Sequence, residues 1–272
     1  MIIDFHTHLF PDRIAEKTVR ALEATGGVPA FSDGTARGLA EALSGAGGGI
    51  AVNLPVLTRP TQFSSVLDFV KELNRQHREC GSPIISFAGA HPEMDDIEEA
   101  LSAVKAAGIL GIKIHPDYQG KFFDDEGYIR ILRAAKELDL ITVTHSGVDV
   151  AYTDAPVRCT PERVLRVLDK IGGYPKLVLA HYGASEMHGE VYSLLAGEDV
   201  YFDTANVLSS ISERDFMRIL EKHGDDRILF ASDSPWQDIS ENLKRLTELP
   251  LGEASLKKIL YKNAEGLLGI SL

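Results

Sequence analysis

The chain has only two cysteines in 272 residues. Cys80 and Cys159 stand far apart and form no C-x-x-C pattern. That argues against a disulfide framework and against a cysteine-built zinc site. Cys80 ends a helical stretch and Cys159 falls in a loop; neither carries a role. Long apolar runs are also missing. No stretch of roughly eighteen apolar residues occurs, so no segment reads as a membrane-spanning helix. No basic segment followed by a long apolar run opens the chain, so no signal peptide is expected and the expected compartment is the cytoplasm. Positive charge is scarce: 28 Lys and Arg stand against 40 Asp and Glu, a formal net charge of −12. A broad acidic surface argues against a nucleic-acid backbone or an anionic membrane as partner and leaves a small-molecule substrate as the expected one. Phosphate loops are absent too. No G-x-G-x-x-G follows the first strand and no G-x-x-x-x-G-K-[ST] appears, which removes the usual signals for dinucleotide or triphosphate binding.

What is present is a rhythm. At 44% hydrophobic and 25% charged residues the composition suits a sizeable core. Short apolar runs alternate with amphipathic segments along the whole length. The strands read as IIDFHT, GGGIAVNLPVL, SPIISFAGAHPE, GILGIKIHPD, LITVTHSG, PKLVLAHYGA, DVYFDTAN and DRILFASDSPW. Helical patterns follow each one. The clearest is TPERVLRVLDKIGG, with Thr160 as N-cap, Pro161 at the first position and glycines at the end. Eight βα units in about 250 residues match the scale of a (β/α)8 TIM barrel, here one domain spanning 1–272. A doubly wound open sheet is the structural alternative.

The polar residues gather at one end of these strands. His6 and His8 end the first, His91 the third, Lys113 and His115 the fourth, His145 the fifth and His181 the sixth. Asp203 and Asn206 end the seventh, and Asp233 the eighth. Six of the nine histidines therefore share the carboxyl rim, where a barrel builds its active site. In a strand, residues two apart point the same way, so His6 and His8 are expected on one face. Imidazole and carboxylate side by side are the ligands of catalytic zinc and related ions. Such an ion lowers the pKa of its bound water, and a nearby carboxylate can take the proton.

The stretches DFHTHLFP, GAHPE, GIKIHPDYQG, VTHSG, LAHYGA, ASDSPW and NAEGLLGI resemble the amidohydrolase superfamily. They look closest to the amidohydrolase-related branch that includes aminocarboxymuconate semialdehyde decarboxylase. The resemblance runs from Met1 to Ile270. It implies one divalent ion, most often Zn2+ with Mn2+ as the alternative, held by His6, His8, His145 and Asp233. It further implies Asp233 and His181 as proton-handling catalytic residues. Lys113 occupies the position that carries a carboxylated lysine in two-metal members, where His181 becomes a ligand. The other implication for Lys113 is a plain cation at the substrate.

Further substrate contacts are weighed from His115, which shares a face with Lys113, and from His91, Arg59 and Trp236. His91 could instead hold a loop, Arg59 could be solvated, and Trp236 could simply pack. His77, His188 and His223 read as surface residues of helices. The βα loops are short, apart from Thr58–Ser64 and Val148–Cys159. Such loops predict an open pocket, or one completed by a second subunit in a homodimer. The leading functional reading is a metal-dependent hydrolase of a small polar amide, lactone or carboxylate substrate. The alternatives are a non-oxidative decarboxylase of an aromatic or unsaturated acid, and a catalytically inactive barrel that binds a ligand.

Overall fold

The computed structural model describes residues 1–272. Eight parallel strands form in chain order: β1 Ile2–Thr7, β2 Gly49–Asn53, β3 Ile84–Ser86 resuming as Ala88–Gly89, β4 Gly111–Ile114, β5 Ile141–Thr144, β6 Leu177–Leu179, β7 Tyr201–Asp203 and β8 Ile228–Leu229. The first half of β3 pairs with β2 and the second half with β4, so this one strand joins a three-stranded and a six-stranded sheet. The far edges also meet. Phe5 N donates to Phe230 O at 2.9 Å, Asp233 N to His6 O at 2.9 Å and His8 N to Ser234 O at 2.6 Å. The eight strands thus close into the expected barrel, which leaves no free sheet edge.

Alternation sorts the strand side chains into two layers. Ile3, Phe5, Val52, Leu54, Ile85, Phe87, Ile141, Val143, Val178 and Leu229 fill the barrel interior, and Ala264, Leu267 and Leu268 of the terminal helix Asn263–Leu268 plug its amino-terminal end. Ile2, Ala51, Ile84, Ile112, Ile114, Leu177, Leu179, Phe202 and Ile228 face the helices. Lys113, between Ile112 and Ile114, therefore points inward, as does His145 after Val143. Thr160 caps helix Pro161–Ile171 as its sequence predicts, its hydroxyl accepting from Arg163 N at 3.4 Å.

Two expectations need correction. His223 is not on the surface. It is buried and stacks on Phe202 with ring centroids 3.9 Å apart, and its Nδ1 accepts from Gly197 N at 3.2 Å. His77 and His188 are half-buried. The pocket is not open either. The segment after β5 carries Val150–Tyr152 across the barrel mouth onto helix Asp12–Gly26, which follows β1, so that Val150 lies beside Gly26. His6, His145, His181 and Asp233 are left only 1%, 5%, 6% and 7% exposed.

The turn that starts this segment depends on one glycine. Gly147 has φ +87°, and a Cβ there would meet Ser185 N at 2.1 Å and Ser185 O at 2.4 Å. Backbone on both sides of that contact is hydrogen-bonded, Ser185 N to Ser146 O and Val148 N to Ser185 O. Gly147→Ala is expected to destabilise the protein by about 2 kcal/mol, read as a lower midpoint in urea denaturation.

Candidate metal centre

Two carboxyl-end histidines are set by partners outside the centre. His6 Nδ1 lies 2.8 Å from Asp203 Oδ2, both buried. A carboxylate there keeps the hydrogen on Nδ1 and leaves a lone pair on Nε2. Asp203 is held in turn by His181 N at 2.9 Å and Ala205 N at 3.1 Å, both donating to its Oδ1. His8 Nδ1 donates to Leu54 O at 2.9 Å, so its Nε2 also presents a lone pair. Both lone pairs aim at Asp233 Oδ1, 3.5 Å from His6 Nε2 and 3.2 Å from His8 Nε2.

This is a convergence of acceptors. Burial would raise the Asp233 carboxyl; a hydrogen bond from His8 and positive charge on His6, His8 and His181 would bring it down to about 2. Its ionised form therefore depends on a proton or a cation among these rings. Burial, with Lys113 next, keeps His6 far below the usual imidazole range, so it stays neutral. The one donor present is Lys113 Nζ, 3.0 Å from His6 Nε2. Burial brings that ammonium down to about 8, against the pull of Asp203, Asp233 and Asp149. The donor set fits a divalent ion: two neutral imidazole nitrogens and one ionised oxygen, at separations near the ~3.3 Å that two ligands on one zinc subtend. The lysine ammonium stands where positive charge is needed.

His145 stands slightly apart. Its Nδ1 is 2.9 Å from His181 Nε2, while its Nε2 faces Asp117 Oδ2 at 3.7 Å and Asp149 Oδ2 at 3.9 Å. Of the four expected ligands, three share one point, and His145 reaches them through His181, whose ring lies 5.5 Å from that of His6. His181 Nδ1 donates to Ala205 O at 2.9 Å, which leaves its Nε2 as an acceptor. A second group gathers around His145. His115 stacks on it with centroids 4.2 Å apart, and His115 Nε2 lies 3.4 Å from Asp149 Oδ2. Burial, then Asp149, pushes the Asp117 carboxyl up to about 6. Arg158 Nη1 sits 3.5 Å from Asp117 Oδ1.

Other expected contacts lie elsewhere. Arg59 is exposed at the start of the turn Pro60–Gln62 and makes no ion pair. His91 is buried, but its Nδ1 accepts from Glu93 N at 3.2 Å, so it fixes its own loop. Trp236 is half-buried, with its N–H donating to Asp233 O at 2.9 Å. Sequence reasoning left Asp117, Asp149 and Arg158 without roles. The signals lay in GIKIHPDYQG and in HSGVD, where an acid follows each rim histidine by two or four residues. A cavity of about 480 Å³ opens at the opposite, amino-terminal face beside Leu110, Ile141, Tyr201 and Leu267. None of the converging histidines lines it.

Backbone shape adds to the picture. His181 and Asp233 both adopt left-handed conformations, at φ +59° and +70°. Non-glycine residues there cost roughly 1–3 kcal/mol each, and they cluster at functional sites. Because Asp203 holds the His6 tautomer, Asp203→Asn is expected to weaken binding of added zinc by roughly 10- to 100-fold. Competition with a chromogenic chelator measures it; unchanged affinity would remove that role for Asp203.

With this geometry in view, relatives can be compared. The amidohydrolase family model matches residues 3–270. No curated protein sequence matches. Among solved structures, an uncharacterised TIM-barrel protein of Bordetella bronchiseptica is 18% identical with TM-score 0.73, covering 98% of each chain. A dihydroxybenzoic acid decarboxylase of a Polaromonas species, with bound manganese and 2-nitroresorcinol, is 18% identical with TM-score 0.69, over 98% of this chain and 96% of that one. A point variant of a 5-carboxyvanillate decarboxylase of Novosphingobium aromaticivorans, with bound manganese and 3-methoxy-4-hydroxy-5-nitrobenzoic acid, is 16% identical with TM-score 0.70, over 99% and 97%. These likenesses establish the TIM-barrel fold, and the family match over 3–270 places this chain in the amidohydrolase family.

Proposed function

We propose that the chain is a metal-dependent hydrolase of a small polar substrate with an amide, lactone or related bond. One divalent ion is held by His6, His8 and Asp233, with His145 as the fourth side chain; zinc is favoured over manganese because imidazole nitrogen dominates the set. The observation that carries this is the aim of two fixed lone pairs at one ionised carboxylate. When bound, the ion supplies an activated water and polarises the carbonyl under attack. With positive charge at the centre Asp233 is ionised, the state a proton acceptor needs. His181, anchored through Nδ1 to Ala205 O, offers Nε2 as the second proton-handling atom. Lys113 is the buried cation beside them and remains the residue that a second ion would require as a carbamate. All these groups come from one chain.

Charge around the site bears on the substrate. Asp117 and Asp149 lie near the centre, Arg158 is engaged by Asp117, and Arg59 is exposed. With no unengaged guanidinium inside, a neutral amide or lactone is favoured over a carboxylate. The second reading, decarboxylation of an aromatic acid, is supported by the fold shared with the two decarboxylases above.

Elemental analysis of protein purified without chelator is expected to show about one divalent ion per chain. About two would move Lys113 and His181 into the ligand set. The metal-loaded protein is then offered amides, lactones and aromatic acids, following acid release and carbon dioxide release separately. Acid release, reduced about 100-fold or more in Asp233→Asn, supports the hydrolase. Carbon dioxide from an aromatic acid supports the second reading. Absence of metal after reconstitution would leave only a binding barrel.

A further inference from the structure

Two buried polar atoms beside the centre lack any hydrogen-bond partner: His145 Nε2 and Asp117 Oδ2. Their residues are 5% and 4% exposed, and the atoms face each other across 3.7 Å. An unpaired buried polar atom is costly. Because His181 Nε2 is an acceptor, the His145 hydrogen lies on Nδ1. These two orphans are then both acceptors, and they pair only if that hydrogen moves to Nε2. Closing to about 3.0 Å needs a shift of roughly 0.7 Å, within the reach of a ring tilt.

We propose that Asp117 is the positioning carboxylate of His145, and that His145 meets the metal through Nδ1 while His6 and His8 meet it through Nε2. This rests on the metal reading above. The inward atom of His145 is Nδ1, toward His181; the outward atom is Nε2, toward Asp117. Without an ion, His145 Nδ1 donates to His181 Nε2. An ion at Nδ1 would take the place of that hydrogen, and the neutral ring would then carry it on Nε2. That hydrogen reaches Asp117 Oδ2, and both orphans are paired by one bond. Arg158 engages the other oxygen, Oδ1, at 3.5 Å and so leaves Oδ2 free for the ring. The arrangement mirrors Asp203 on His6, with the two ring nitrogens exchanged.

The same atoms could be taken for a separate ion site formed by His115, His145 and Asp149. The His115 ring argues against it. Its Nδ1 caps the short helix Pro116–Gln119 by accepting from Tyr118 N at 3.4 Å. The hydrogen then sits on Nε2 and points at Asp149, so no lone pair is offered to an ion there.

The test is long-range proton–nitrogen correlation spectroscopy on the full chain, labelled with 15N-histidine and loaded with zinc. Zinc-bound Nδ1 and Nε2 give distinct patterns. Two rings bound through Nε2 are expected, and one bound through Nδ1 whose signals vanish in His145→Gln. In Asp117→Asn, the Nε2 hydrogen of that ring is expected to exchange faster with water, and zinc affinity to fall roughly 10- to 100-fold. Asp117→Ala provides a second variant with no acceptor. Zinc bound with every ring through Nε2 overturns the proposal and leaves the metal reading standing. A second zinc equivalent lost in Asp149→Asn overturns it in favour of the separate site. No zinc bound at all overturns both.

Discussion

Two imidazole lone pairs and one ionised carboxylate oxygen meet inside a closed barrel, and they cannot rest there without positive charge between them. His6 cannot relieve the conflict by moving its hydrogen, because Asp203 holds that hydrogen on Nδ1. His8 cannot either, because Leu54 O does the same. Asp233 is ionised there only against positive charge among these rings. Lys113 answers part of the demand with its ammonium, 3.0 Å from His6 Nε2. The remaining groups are arranged around this demand for a cation: Asp203 is itself pinned by two backbone donors, and His181 is anchored on Ala205.

The barrel makes such a conflict affordable. Hydrogen bonds from Phe5 to Phe230 and from Asp233 to His6 close the sheet at the place where the ligands lie. Asp4 reinforces that seam, accepting from both the backbone and hydroxyl of Ser232. Burial pushes its carboxyl up to about 7. Large apolar layers inside and outside the strands supply the stability against which left-handed backbone at His181 and Asp233 is tolerated. The segment after β5 then reaches helix Asp12–Gly26, and the residues beneath it are buried, which strengthens each electrostatic contact there. It also brings Asp149 over the centre, so a short chain achieves closure without a second domain.

Much of this was legible in residue order. Eight apolar runs with helical intervals point to a parallel sheet buried on both faces, which left a barrel and a doubly wound sheet as the candidates. The rim histidines follow from their place at strand ends. The face on which His6 lies was harder. Strict alternation would put it with Ile2, which packs against the helices. The pairing between β1 and β2 shifts register between Asp4 and Thr7, and that irregularity turns His6 inward to Asp203. Period-two reasoning reached the right pairing with His8 without containing the reason for it.

The sequence by itself determined the strand count, the rim, and the types of side chain available there, because those depend on local pattern and on the fixed polarity of a βα unit. Tertiary structure alone decided which nitrogen each histidine turns inward. That choice belongs to partners distant in the chain: Asp203 for His6, Leu54 for His8 and Ala205 for His181. It also decided that the mouth is covered, that His223 packs inside, and that Arg59 stays in solvent. A tautomer is fixed by the atom opposite the ring, and no spacing in a linear chain says which atom that will be.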